Sequence, residues 1–213
     1  MRELSLDPGQ GGGRFPGFDV LAQTRHWDRA TQSIVGARLG MLPAIRFFTP
    51  LEEATADALF DQLLYQRSDP RVPITQMVDT RLAEKQTDGW HYDGMPTDDI
   101  AWRESLAGLN ADATAACGGD FADCGWEQQS GILLRIRDRG YEPWRGMLGQ
   151  HVWSLWTRYA CTAFYSHPLA WNEIGFAGPA YPRGYKNLGV DRREPFEVRD
   201  RKSDDDPVAG WGR

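Results

Sequence analysis

Residues 144–166 read WRGMLGQHVWSLWTRYACTAFYS, and the spacing of their apolar residues decides the fold class. Leu148, Val152, Leu155 and Tyr159 fall on one helical stripe. Trp153, Trp156, Ala160 and Phe164 fall on a second, about a quarter to a third of a turn away. A helix apolar over that much of its girth is central in its own domain or covered by a partner. His151 and Arg158 interrupt the run, which falls short of the roughly 20 apolar residues that a membrane-crossing helix needs. No direct membrane insertion is expected.

Upstream, the same period recurs. Thr49-Pro50-Leu51-Glu52 offers a hydroxyl cap, proline at the first helical position and a glutamate placed to return the cap's hydrogen bond. Ala56, Leu59, Phe60, Leu63 and Leu64 then share one face, and Pro70 bounds the exit. A second helix is predicted from about Pro73 to Gln86 through Ile74, Met77, Val78 and Leu82. Thr97 caps a third, with the stripe Trp102, Leu106, Leu109 and Ala113, and Gly118-Gly119 ends it. A fourth runs from about Trp126 to Arg139 on Ile132, Leu133 and Ile136, with Gly140 as its stop. Thr31–Leu39 has the makings of a short helix. Neither strand-like alternation of comparable strength nor an internal repeat is visible.

The expectation is a mainly α protein: a single helical-bundle-like domain of about five helices, a long irregular aromatic-rich C-terminal segment, and flexible termini. Its boundaries are a glycine-rich arm at 1–17, the domain at 18–200, and a charged tail at 201–213. The last two dozen residues, rich in charge, are given no core role.

The irregular segment is 168–189, PLAWNEIGFAGPAYPRGYKNLG, which shows neither helical nor strand period. It nevertheless holds Trp171, Phe176, Tyr181 and Tyr185, and solvated loops seldom carry so many large rings. Nine tryptophans and a strong preference for arginine over lysine add residue types enriched at interfaces and their hot spots. Trp171, Phe176, Tyr181, Arg183 and Tyr185 are therefore the candidate partner-binding residues, with some of the rings folding back onto the fifth helix.

Composition narrows the function classes. The 24 basic and 30 acidic residues leave a net charge of −6, which argues against a general nucleic-acid binder or a protein held on anionic lipid. With 41% hydrophobic and 12% aromatic residues the chain is not disordered throughout. The opening MRELSLDPGQGGGRFPGF puts acids and glycines where a signal peptide has basic and then apolar residues, so a cytoplasmic location is expected. Cys117, Cys124 and Cys161 form no metal or haem pattern. Reduced, buried thiols are the expectation, with a Cys117–Cys124 bridge across Gly118-Gly119 as the alternative.

Catalytic motifs are sparse. The stretch DGWHYDG, residues 88–94, sets Asp88, His91 and Asp93 in a glycine-bounded loop, ligand types for a metal or an acid–base pair. His91 and Asp93, with His167 and Glu173, define an alternative reading as a stand-alone enzyme, with or without a metal. A free small-molecule-binding helical domain is a third reading. There is neither a Gly-x-Ser-x-Gly elbow nor a Rossmann or P-loop glycine signature. The residues thus nominate no catalytic, cofactor-binding or metal-ligating side chain.

The blocks RFFTPLEEATADALFDQLL, PRVPITQMVDTRL, DGWHYDGMP, WEQQSGILLRI and VWSLWTRYACTAFYSHPLAWNEIGFAGPAYPRGYKNLG together resemble the gluconate 2-dehydrogenase subunit 3 family over about residues 18–200. That is the small subunit accompanying FAD-dependent GMC-type dehydrogenases of sugars, sugar acids and glycosides. The resemblance implies a non-catalytic subunit without a cofactor of its own. FAD and the substrate site then lie in the catalytic partner, a cytochrome c or another acceptor takes the electrons, and this chain serves the partner's assembly, maturation or export. Many members carry a twin-arginine signal. Here the only adjacent arginines are Arg192-Arg193, so either the complex stays in the cytoplasm or the export signal lies on a partner subunit and the complex is periplasmic.

Overall fold

The computed structural model describes residues 4, 6, 10–41, 43–187, 189–190 and 192–205. The protein is predominantly α-helical, as expected. Its α-helices are α1 (Arg29–Ala37), α2 (Pro50–Leu64), α3 (Ile74–Ala83), α4 (Asp98–Cys117), α5 (Trp126–Arg137), α6 (Gly149–Ser166) and α7 (Pro168–Ile174). Short 3₁₀ turns occupy Val20–His26 and Phe121–Asp123. A two-residue antiparallel pair, β1 (Pro143–Trp144) with β2 (Met147–Leu148), sets Trp144 opposite Met147 just before α6. The chain forms two compact units: Leu42–Phe164, and Met1–Met41 together with Tyr165–Arg213.

In the contiguous unit, α2 begins as its sequence dictates. Glu52 N donates to Thr49 Oγ1 at 3.3 Å and Thr49 N donates back to Glu52 Oε2 at 2.8 Å. Tyr65, in the left-handed region at φ 54°, ends the helix before Pro70 is reached. Thr97 does stand at the N-cap of α4, although its side chain makes no cap hydrogen bond.

The centre of this unit is α4 rather than α6. Ala101, Trp102, Ser105, Leu106, Leu109 and Ala113 are all fully buried, and α2, α5 and the Phe121–Asp123 turn pack around the helix. Small residues on α4 admit large ones from α6 and the β pair. Trp156 Nε1 donates to Ser105 Oγ at 3.0 Å, and Tyr159 Oη donates to the buried Asp98 Oδ2 at 2.6 Å. The Trp144 indole lies on Gly108, where an added Cβ would come within 3.0 Å of it. Trp102 meets the rings of Phe48, Phe60 and Tyr159 at centroid distances of 6.1, 5.6 and 5.6 Å.

Two links fix the loops around this core. Asp79 of α3 is 1% exposed and accepts backbone N–H bonds from Arg46, Phe47 and Phe48, each at 2.8 Å. Gly118, at φ 80°, ends α4, and Cys117, the last residue of the helix, is joined to Cys124 with their Cα atoms 6.1 Å apart. The expectation of three reduced, buried thiols is corrected by that bridge. Cys161 is a free thiol, yet an exposed one, because its position on α6 faces away from the buried Val152–Tyr159 stripe.

The second unit is assembled from both ends of the chain. Its core is Val20, Trp27, Val35 and Trp171, with Phe18 packed against it. Asn172 holds it by accepting from Val20 N at 2.8 Å and donating to Leu4 O at 2.7 Å. At Gly178, φ is 78° and an added Cβ would stand 2.4 Å from the Trp27 ring, so only glycine fits. Residues of the expected N-terminal arm and tail bind one another. Arg14 pairs with Asp200 and donates to Asp205 O at 2.6 Å, and Lys202 Nζ donates to Gly12 O at 2.7 Å.

The segment expected to be irregular opens with a helix, α7. Pro168 supplies the first helical position and Gly175, at φ 69°, the left-handed stop, while seven residues are too few to display a period. The final residues also depart from expectation. Glu194 is 6% exposed because it accepts the backbone N–H groups of Lys186 and Asn187.

Candidate functional site

The five candidate partner-binding residues all lie in the unit built from the two ends, and they divide by exposure. Phe176, Tyr181 and Tyr185 are 39%, 67% and 52% exposed. Trp171 is 4% exposed and is corrected to an internal residue. The first turn of α7 turns it inward, its Nε1 donates to Tyr165 O at 2.7 Å, and the Arg38 guanidinium stands 5.8 Å from its ring centroid. Phe176 meets the Trp171 ring edge-on at 5.4 Å, so the outer ring rests on the inner one. Arg183 is half-buried, with Nη1 donating to Gln23 Oε1 at 2.9 Å and its guanidinium 3.8 Å from the centroid of Phe196. The Tyr185 ring also meets Phe196, tilted, with centroids 5.9 Å apart.

The residues of the enzyme alternative do not form one cluster within either unit. His91 and Asp93 are exposed in the contiguous unit, and His91 Nδ1 lies 3.1 Å from Tyr92 O. His167 and Glu173 belong to the other unit, at the start and on the exposed side of α7. Among the described residues no group of three His, Cys, Asp or Glu side chains is placed to hold a metal ion.

His167 has a structural task. Its Nε2–H donates to Arg38 O at 3.1 Å and its Nδ1 accepts Leu169 N at 3.2 Å, which requires the neutral ring. Enclosure disfavours the imidazolium and pushes the pKa down from 6.5 to about 4. Between those values the unfolded chain binds a proton that the folded chain refuses. Stability is therefore whole above about pH 6.5 and falls as the pH drops toward 4, by up to about 3 kcal/mol. An NMR titration of the His167 Cε1–H should show a midpoint near 4. A midpoint near 6.5 would mean that the ring is open to water.

A constellation that sequence reading took for ligands is instead a layer of rings and charges. Asp88 pairs with both Arg81 and Arg158. The Arg158 guanidinium lies 4.6 Å from the centroid of Trp90, and Tyr92 stacks on His151 at 4.1 Å with the planes 2° apart. Trp90 and Tyr92 remain 50% and 38% exposed. The aromatic letters in DGWHYDG were the available signal, alongside its acids and histidine.

These features define a class: a predominantly α-helical protein with exposed ring-and-guanidinium surfaces. Residues 50–178 match the family described as gluconate 2-dehydrogenase subunit 3, and the chain belongs to that family. The match takes in nearly all of the contiguous unit and continues through α7 to Gly178. No curated protein and no solved structure matches the chain.

Proposed function

We propose that the chain is the non-catalytic small subunit of a dehydrogenase complex, docked on an FAD-dependent GMC-type catalytic subunit that oxidises a CH–OH group of a sugar, sugar acid or glycoside. Its work there is to stabilise or mature the flavoprotein, while FAD stays in the partner and a cytochrome c or another acceptor takes the electrons. The family membership supports the subunit role. The observation that carries the docking reading is the exposure of Phe176, Tyr181 and Tyr185 on a segment anchored from below by Trp171. Large rings at a surface supply much contact area with few torsions to order, as interface anchors do. Of the two locations expected, the Cys117–Cys124 bridge favours the periplasmic one, reached with a partner that carries the signal.

The test is co-expression with the catalytic subunit. A Tyr181→Ala/Tyr185→Ala variant should keep the parental thermal midpoint, both rings being exposed, and retain about tenfold less partner through purification. If the partner co-purifies at the parental ratio, the docking surface lies elsewhere.

A further inference from the structure

Beside the exposed tyrosines an open cleft of about 540 Å³ carries a charge that the rest of the chain does not explain. Arg25, Arg183 and Lys186 line it, against one carboxylate, Glu194. Glu194 is already committed, since one of its oxygens receives the Lys186 and Asn187 N–H groups. The cleft is thus positive in a chain whose net charge is −6.

Arg183 is held ready within it. Phe196 covers one face of its guanidinium and Gln23 takes Nη1. Its Nε and Nη2 are buried and have no hydrogen-bond partner, and among the described residues no carboxylate stands within ion-pair distance of it. Arg158 also has an unpartnered Nε, but its Nη1 is paired with Asp88, which answers its charge. Nε and Nη2 lie along one edge of the guanidinium plane, and their parallel N–H bonds match the two oxygens of a carboxylate. Buried donors without an acceptor are unfavourable, and charged donors most of all.

We infer that this cleft is a carboxylate-binding site, with the Nε–Nη2 edge of Arg183 taking the two oxygens and Arg25 and Lys186 drawing further negative charge of the same ligand. Both nitrogens are enclosed, so uptake requires the Phe196 ring or the turn at Gly184 to give way slightly. The carboxylate belongs either to a free organic acid or to a side chain of a bound protein, and its chemistry at Arg183 is the same.

The full chain would be titrated with sodium acetate and with trisodium citrate at constant ionic strength, following the Arg183 Nε–H signal by ¹⁵N-edited NMR. The expected result is a saturable downfield shift with both, citrate binding about tenfold more tightly because it meets more than one cation. Arg183→Gln, which removes that signal and is followed instead at the Gly184 backbone N–H, should weaken both by at least about tenfold, and Lys186→Gln should weaken citrate while leaving acetate within about twofold. Arg25→Gln changes an exposed side chain and should likewise weaken citrate, which keeps the test open if Arg183→Gln fails to fold. A shift that does not saturate, or one that survives in the variants, overturns the site. Saturating citrate is then added to the chain carrying its co-purified partner. Release of the partner identifies a protein carboxylate as the occupant, and retention identifies a free acid. The binding measurements stand whether or not the proposed partner is the right one.

Discussion

Replacing Trp102 by alanine is expected to destabilise the contiguous unit by about 4 kcal/mol, within the range of about 3 to 5 kcal/mol for truncating a fully buried aromatic residue. Trp102 is inaccessible to solvent and meets three other rings, those of Phe48, Phe60 and Tyr159. The loss combines the hydrophobic transfer of the indole with the cavity left among groups that cannot all close in. Its Nε1 has no hydrogen-bond partner, so the truncation strands no acceptor, and loss of that unpaired buried donor offsets a small part of the packing loss. Urea unfolding followed by near-ultraviolet circular dichroism measures it. A loss below about 1 kcal/mol would mean that the ring is not enclosed.

Asp79→Ala should be comparably severe, about 3 to 5 kcal/mol, for a different reason: it strands three backbone N–H groups at once. A charge-assisted hydrogen bond contributes about 1.5 to 3 kcal/mol, and the three here share two oxygens, so their sum is smaller than three separate bonds. Asp79 also fixes the stretch Arg46–Phe48, which delivers Phe48 to Trp102 and Thr49 to the cap of α2. Asp79→Asn keeps one acceptor oxygen and should lose about half as much. Hydrogen exchange at Phe47 and Phe48 separates this effect from general loosening. Protection there should collapse in the alanine variant before it does in α4, and uniform loss throughout the unit would count against a local clamp.

These two residues also mark what a single sequence discloses. Trp102 was legible because it falls on the α4 stripe with Leu106, Leu109 and Ala113, and helical period is a local signal. The Thr49–Glu52 cap was legible for the same reason, both partners lying within one turn. Asp79 was not, because its acceptor role is defined by residues more than thirty positions upstream. Trp171 shows a nearer failure. His167-Pro168 and Gly175 are start and stop signals, yet a helix of one to two turns gives period nothing to act on, and the rings of 168–189 read as one group. Only tertiary packing divides Trp171 from Tyr181. The cleft at Arg183 was hidden for a related reason: Phe196 and Glu194 lie in a tail whose charge pattern reads as solvated, and their partners are Arg183, Lys186 and Asn187.

The unit made from the two chain ends has a thermodynamic debt that the contiguous unit does not. Its fastenings run between residues more than a hundred positions apart: Val20 to Asn172, Arg38 to His167, Arg14 to Asp200. Closing a loop that long in an unfolded chain carries an entropy penalty that grows with the logarithm of its length. Once Leu42–Phe164 has folded, most of that loop is no longer free chain and the penalty shrinks accordingly. The coupling is reciprocal, each unit once folded lowering the closure cost of the other by the same amount, so a change that weakens Leu42–Phe164 also weakens the unit carrying both termini without touching any of its contacts.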